Sequence, residues 1–355
     1  MSEALITRLQ EAATNMSLPT MGVATIDVTA SDATGSNTMN IAYAQTTIIG
    51  TSSQFTTSNG TAKGSSTQIP ATADGDLTTT TIYLAVGRHI LTIPIYTLRS
   101  ISFGSDITFN TPVDVEKFTY APTLRSLRLT RTTGDITALA GRNLRSVYMV
   151  VDSTMTGRFG DTLGSNTVRV EVWNVMKLGL DLGGLSAASG LTALFWGNTM
   201  GAPVTGSLSN LADKKLMTDL RVQNLAGNDL NLDQLDGCTA LLTCYLWNAR
   251  SVSGDLSALP SGVQIVNVNG AQSQSLTWTA GRRAASATIM ALQGVRLSNP
   301  DDMFIDQAKC VAKFYSSDTS SRTINIVGPR TSASDPAVAT LKGKGYTVIV
   351  NGSTL

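Results

Sequence analysis

Between Leu98 and Gly270 the apolar residues follow one recurring pattern: a short alternating run, a polar turn, then a step of the Gly-Asp-Leu type. One copy reads Leu124-Arg-Ser-Leu127-Arg-Leu129 followed by Gly134-Asp135-Ile136-Thr-Ala-Leu139, and another Leu191-Thr-Ala-Leu194-Phe-Trp196 followed by Gly206-Ser-Leu208. Leu220-Arg-Val222 with Leu230-Asn-Leu232 and Cys244-Tyr-Leu246 with Gly254-Asp255-Leu256 continue it, and Val266-Asn-Val268 closes it. The equivalent strand positions Leu129, Met149, Val172, Trp196, Val222, Leu246 and Val268 stand 20 to 26 residues apart. A unit this short cannot bury its own apolar side, so the pattern predicts coils stacked into a solenoid.

Side chains alternate across a strand, so Leu194 and Trp196 are expected to point into the stack while Phe195 and Gly197 point out. The next inward position is Asn174, Asn198, Asn224 or Asn248 in four units. There an amide ladder is expected to satisfy turn backbone. The outward positions define a candidate binding face of Arg128, Tyr148, Trp173, Phe195, Arg221, Tyr245 and Trp247, with Glu171, Gln223 and Asn267 interspersed. Tyr, Trp and Arg offer large contact areas with polar tips, suited to a glycan or protein. Stacking of these side chains on one another across coils is the competing reading.

The flanks differ. Residues 1–18 place Leu5, Ile6, Leu9, Ala12 and Ala13 on one helical face, predicting an amphipathic helix that Pro19 ends. Residues 19–96 alternate as strands, in runs such as Val23-Ala-Thr-Ile26-Asp-Val28 and Met39-Asn-Ile41-Ala-Tyr43, with a Thr/Ser/Gly-rich tract from Thr46 to Thr80. This is expected to be a β-rich attachment or oligomerisation domain. The solenoid is expected over 97–275, dissolving after Gly270. Over 276–355 the pattern gives a helix from Asn299 to Phe314, a strand Thr323–Ile326, a helix from Ser334 through Leu341 and a strand Tyr346–Val350. Such an α/β segment would cap the open edge of the last coil.

The units resemble the leucine-rich-repeat proteins of the Bacteroidetes and their phages, in which Leu-x-x-Leu-x-Leu alternates with a Gly-Asp-Ile/Leu step. Ile324-Asn-Ile-Val-Gly328 and Ala339-Thr-Leu-Lys-Gly-Lys-Gly-Tyr346-Thr-Val348 resemble that group's terminal segment. Two departures stand out: the Asn falls one position early, and the third unit lacks its first leucine. The resemblance implies a mixed β/α fold, a leucine-rich-repeat solenoid with an N-terminal helix plus β-domain and a C-terminal α/β cap.

Composition narrows the function. Charged residues are 14% of the chain and the formal net charge is +1, which argues against a nucleic-acid partner. The start carries Glu3, Arg8 and Glu11 rather than a basic lead and an apolar run, so no secretory leader is expected, and no segment is apolar enough for a membrane span. Cys238, Cys244 and Cys310 form no CxxC pair, and Cys244 is expected as a small core residue. His89, the only histidine, sits in an apolar strand and has no G-x-S-x-G partner, so a catalytic triad is not expected. Asp229-x-Asn231-x-Asp233-x-x-Asp236 is superficially similar to a calcium loop, but Leu230, Leu232 and Leu235 match the repeat's apolar step. No metal and no cofactor is expected, and no pair of carboxylates is singled out for glycan hydrolysis.

The resemblance, with the missing leader, leads to the expectation of a non-enzymatic bacteriophage virion protein. As a fibre, appendage or capsid decoration it would be made in the host cytoplasm and assembled as a homo-oligomer. Its N-terminal region would contact other virion proteins and its solenoid a host-surface glycan or protein. The alternative is a bacterial leucine-rich-repeat interaction or adhesion protein.

Overall fold

The computed structural model describes residues 23–31, 37–43, 47–57, 64–69, 80–84, 86–175, 177–197, 204–315 and 319–355. The expected helix over 1–18 lies outside them, as does Asn198. The chain divides into two compact units, one running to Leu144 and including Tyr148–Met155, the other comprising Arg145–Val147 and Thr156–Leu355.

The first unit begins with strands β1 (Val23–Ala30), β2 (Thr38–Tyr43), β3 (Thr47–Thr57), β4 (Gly64–Ile69), β5 (Thr80–Leu84) and β6 (Gly87–Pro94). Then come β7 (Leu98–Phe103), β8 (Ile107–Phe109), β9 (Val113–Asp114), β10 (Ser126–Leu129), β11 (Thr132–Asp135) and β12 (Ser146–Thr156). β1 pairs antiparallel with β6 along its whole length, and with β8 at its end. Its alternation puts Ala24, Ile26, Val28 and Ala30 in the core and leaves Thr25, Asp27 and Thr29 outside. His89 is buried on β6 opposite Val28, as an apolar strand predicts. β2 pairs antiparallel with both β5 and β7.

Strand β7 also pairs parallel with β10, Ile101 opposite Leu127. One strand therefore belongs to the antiparallel sheet and to the first pair of coils. The expected domain boundary at residue 96 corresponds to no break in hydrogen bonding, because an edge strand offers a full row of donors and acceptors on its second side.

In the second unit the strands are β13 (Arg158–Phe159), β14 (Arg169–Val175), β15 (Gly179–Asp181), β16 (Ala193–Gly197), β17 (Val204–Thr205), β18 (Asp219–Val222) and β19 (Asp229–Asn231). They continue with β20 (Thr243–Leu246), β21 (Ser251–Asp255), β22 (Ile265–Asn267), β23 (Ser273–Thr277), β24 (Ala291–Arg296), β25 (Thr323–Val327), β26 (Thr347–Val350) and β27 (Ser353–Thr354). From β14 through the even-numbered strands to β24, and on to β25 and β26, each pairs parallel with the next. Val170, Leu194, Leu220, Cys244, Val266, Leu292, Ile324 and Val348 fall into one register line, and all are buried. Each large apolar side chain sealed this way contributes about 1.5–3 kcal/mol. On the other side of the coils run short parallel ladders, β13–β15–β17 and β19–β21–β23. The result is a β-rich solenoid of stacked parallel coils.

The Gly-Asp-Leu step has a specific local structure. The cap residues Asp135 in the first unit, and Asp181, Ser207, Asn231 and Asp255 in the second, each precede a 3-10 turn. Each accepts, through its side chain, a hydrogen bond from the backbone N–H two residues on. The following apolar residue, Ile136, Leu182, Leu208, Leu232 or Leu256, is thereby turned into the core.

The C-terminal region departs from expectation in two ways. The repeat does not dissolve at Gly270, since β24, β25 and β26 extend the parallel ladder by three rungs. Helices α1 (Pro300–Lys309) and α2 (Asp335–Gly343) enter the last two coils. Helix α1 also stops before Val311 and Phe314, because Cys310 is extended and Val311 instead bridges to Thr288. The short β27 then folds antiparallel against β26.

Candidate functional site

The outward strand positions form columns because parallel register holds equivalent residues side by side. In the first unit the guanidinium of Arg128 lies 4.1 Å from the centre of the Tyr148 ring. In the second unit the central column reads Glu171, Phe195, Arg221, Tyr245, Asn267 and Gln293. Arg221 sits between two aromatic rings, 5.0 Å from Phe195 and 5.0 Å from Tyr245, while Arg169 covers Phe195 at 5.1 Å. Asn267 donates to Gln293 at 2.9 Å further along the column.

One pleat along, Trp173 lies over Gly197 in the neighbouring coil, its ring occupying the space a Cβ would need there. It also approaches Phe195 with ring centres 6.0 Å apart, and Trp247 approaches Tyr245 at 4.9 Å. Trp173, Arg221, Tyr245 and Trp247 are half-buried, whereas Phe195 is buried. The sequence-derived residues of this unit thus come together on one face, and they satisfy one another. Stacking across coils is what the geometry displays, and the edges of Trp173, Tyr245 and Trp247 remain accessible.

Sequence reasoning missed the polar centre of the face. Asp219 shares the outward side of β18 with Arg221, two residues on. Its Oδ1 accepts from the Thr243 hydroxyl at 2.8 Å and from the Tyr315 hydroxyl at 2.8 Å, and its Oδ2 accepts from Thr218 at 2.8 Å. Arg221 adds an ion pair at 3.4 Å. Burial by itself would raise this carboxyl, but the hydroxyls and the guanidinium outweigh it and hold Asp219 below the ordinary carboxylate range. Tyr315, conversely, is pushed up by burial and by the Asp219 charge. Its ring lies 5.7 Å from the Arg221 guanidinium. The alternation pattern could have flagged Asp219, the one acid on a column that also holds Arg169, Ala193, Thr243, Ile265 and Ala291. No local signal could have flagged Tyr315.

Asn224 and Asn248 do not continue the inward alternation of their strands. Asn224 and Asn248 adopt left-handed backbone, φ 60° and 58°, and Asn248 is exposed. Asparagine is there because it tolerates that conformation as the chain leaves the strand. The side chains of Asn174 and Asn198 lie outside the described set.

The calcium-like acids are individually committed. Asp229 holds Arg250 and Ser251, Asn231 caps its own turn, and Asp233 accepts from the backbone N–H of Asp255. Among the described residues no cluster of potential metal ligands occurs. Cys238 and Cys244 are buried, and burial lifts their thiols to about 11 and about 12 respectively. No helix among the described residues is long and apolar enough to cross a membrane.

No family model and no curated protein matches the chain. Among solved structures, the crystal structure of PEPR1–AtPEP1 aligns over 65% of this chain and 42% of that one, with 12% identity and a TM-score of 0.29. The chain therefore spans less than half the length of that solved chain, and a likeness this slight carries no argument about function.

Proposed function

We propose that this chain is a non-enzymatic recognition scaffold of the leucine-rich-repeat type. A parallel ladder fixes the spacing of its outward side chains, and the half-buried edges of Trp173, Tyr245 and Trp247 present an apolar surface with polar tips. The observation that carries this reading is the register line Phe195–Arg221–Tyr245, flanked by the two tryptophans. A face built from stacked, immobilised aromatics loses little conformational entropy on binding. Many weak contacts of this kind become effective when identical copies act together, which suits a structural protein of a bacteriophage particle, such as a fibre, appendage or decoration. In that role the solenoid contacts a host-surface glycan or protein and the N-terminal region contacts other particle proteins.

Two measurements test the reading. Mass spectrometry of purified particles is expected to find the chain in several copies, and its absence from particles would sink the virion assignment. Replacing Trp247 with Ala is expected to weaken attachment of the purified protein to its target surface by about tenfold or more while leaving the melting temperature nearly unchanged. Unaltered attachment in both Trp173→Ala and Trp247→Ala variants would remove this face from the function.

A further inference from the structure

The coil between β24 and β25 is longer than the others. Thirty-two residues separate the paired Leu292 and Ile324, against twenty-two to twenty-six for the preceding pairs of the ladder. The extra length lies after α1 and carries Tyr315 back to β18, three rungs earlier, or roughly 14 Å at strand spacing. There its ring covers one side of Arg221 and its hydroxyl meets Asp219.

Two features mark this as an occupied recognition site rather than ordinary packing. Tyr315 keeps 37% of its surface exposed, and its polar tip reaches the most heavily hydrogen-bonded carboxylate on the face. In addition, the Nε of Arg221 is buried and has no hydrogen-bond acceptor among the described residues. A buried donor left unsatisfied carries a cost that a ligand supplying an acceptor would relieve.

We infer that Tyr315 is an intramolecular stand-in for a tyrosine of a partner protein, which displaces it. The incoming phenol donates to Asp219 and stacks against Arg221, and a carbonyl oxygen of the same segment accepts from the Arg221 Nε–H. Rest-state occupation by Tyr315 lowers the apparent affinity by the fraction of molecules in which the site is open. The inference rests on reading the outward face as a recognition surface and specifies the partner of its polar centre.

The test uses the full chain and N-acetyl-tyrosinamide as probe, with N-acetyl-phenylalaninamide and methyl glucoside as controls, followed by NMR titration. Tyr315→Ala is expected to bind the tyrosine probe about tenfold or more tightly than the native chain, with no comparable gain for either control. Adding Asp219→Asn to that variant is expected to abolish the gain. Tyr315→Phe, which keeps the ring and drops the hydroxyl, is expected to show a smaller gain in the same direction and guards against a folding artefact in the alanine variant. Equal binding of the phenylalanine and tyrosine probes, a preference for the glucoside, or no difference between the native chain and both Tyr315 variants would overturn the inference. Trp247→Ala separates the two ideas. If it weakens surface attachment while the tyrosine probe fails to bind, the recognition face stands and the partner assignment falls.

Discussion

The Nζ of Lys214 donates to the carbonyl oxygen of Ser186, one coil earlier, at 2.6 Å. The lysine side chain is fully buried, and its other partner, Asp213 at 2.7 Å, stands largely in solvent. At the corresponding places in neighbouring coils stand Ala188 and Cys238, both small and buried. Lys214 therefore uses a long stem to fill space and a charged tip to tie two turns together.

Because the carboxylate of that pair is already hydrated, its loss of a partner matters little, and the effect of substitution is set by packing. Lys214→Ala is expected to lower stability by about 2–4 kcal/mol through the cavity it leaves. Lys214→Met keeps most of the volume and removes a buried charge, so it is expected to stay within about 1.5 kcal/mol of the native chain. Urea unfolding midpoints at pH 7 measure both. Equal losses for the two variants would mean that the ammonium, not the stem, is what the coil needs.

Gly254 lies in the left-handed region at φ 114°, and a Cβ there would stand 2.7 Å from the cap oxygen of Asn231 in the preceding coil. Gly254→Ala is expected to cost about 1–3 kcal/mol. Gly227, with open space around it and no such backbone conformation, is the control: Gly227→Ala is expected to be neutral or stabilising by up to about 1 kcal/mol. Thermal unfolding of the two variants side by side distinguishes a tight coil-to-coil contact from a general dislike of substitution.

Two carboxylates, half-buried Asp27 and exposed Asp229, predict the response to acid. Hydrogen bonds from Arg88 and Asn110 hold Asp27 down to about 2, and those from Arg250 and Ser251 do the same for Asp229. In the unfolded chain each titrates near about 3.9. Their folded values are depressed, so their contribution is complete above the unfolded value and is lost as pH falls through 4 towards 2. Denaturant midpoints are expected to be flat between pH 5 and 7 and to drop below pH 4. The drop is expected to be shallower in the Asp27→Asn, Asp229→Asn double variant. An unchanged slope would assign the acid response to other groups.

The sequence revealed the coils because their signal is local. Leu129, Trp196 and Leu246 repeat at coil spacing, and burial of each depends on its own alternation and on an equivalent neighbour. The Gly-Asp-Leu step was visible as a motif, and its cap geometry follows from side chains two residues from their donors. Of the last three rungs, the strands near Thr323 and Val348 were legible, but their continuation of the parallel ladder was not. Helices α1 and α2 enter the last two steps and one of these lengthens to thirty-two residues, so the period vanishes from the sequence although the strand pairing persists. Asn248 was misplaced because strand alternation was continued one residue too far, past the point where the backbone turns left-handed. The Tyr315–Asp219 contact spans ninety-six residues and carries no periodic signature at all.

Strand β7 has one side in an antiparallel sheet and the other in a parallel one, and this bears on how the molecule is made. As the chain emerges from synthesis, the sheet containing β2 and β7 can be complete before β10 exists. That gives the first coil a finished template on which to set its register. A protein engineer who divided the chain at residue 97 would leave one product with an unprotected strand and the other without a starting point. A division that preserves both must keep Met39–Tyr43 on the same polypeptide as Leu127.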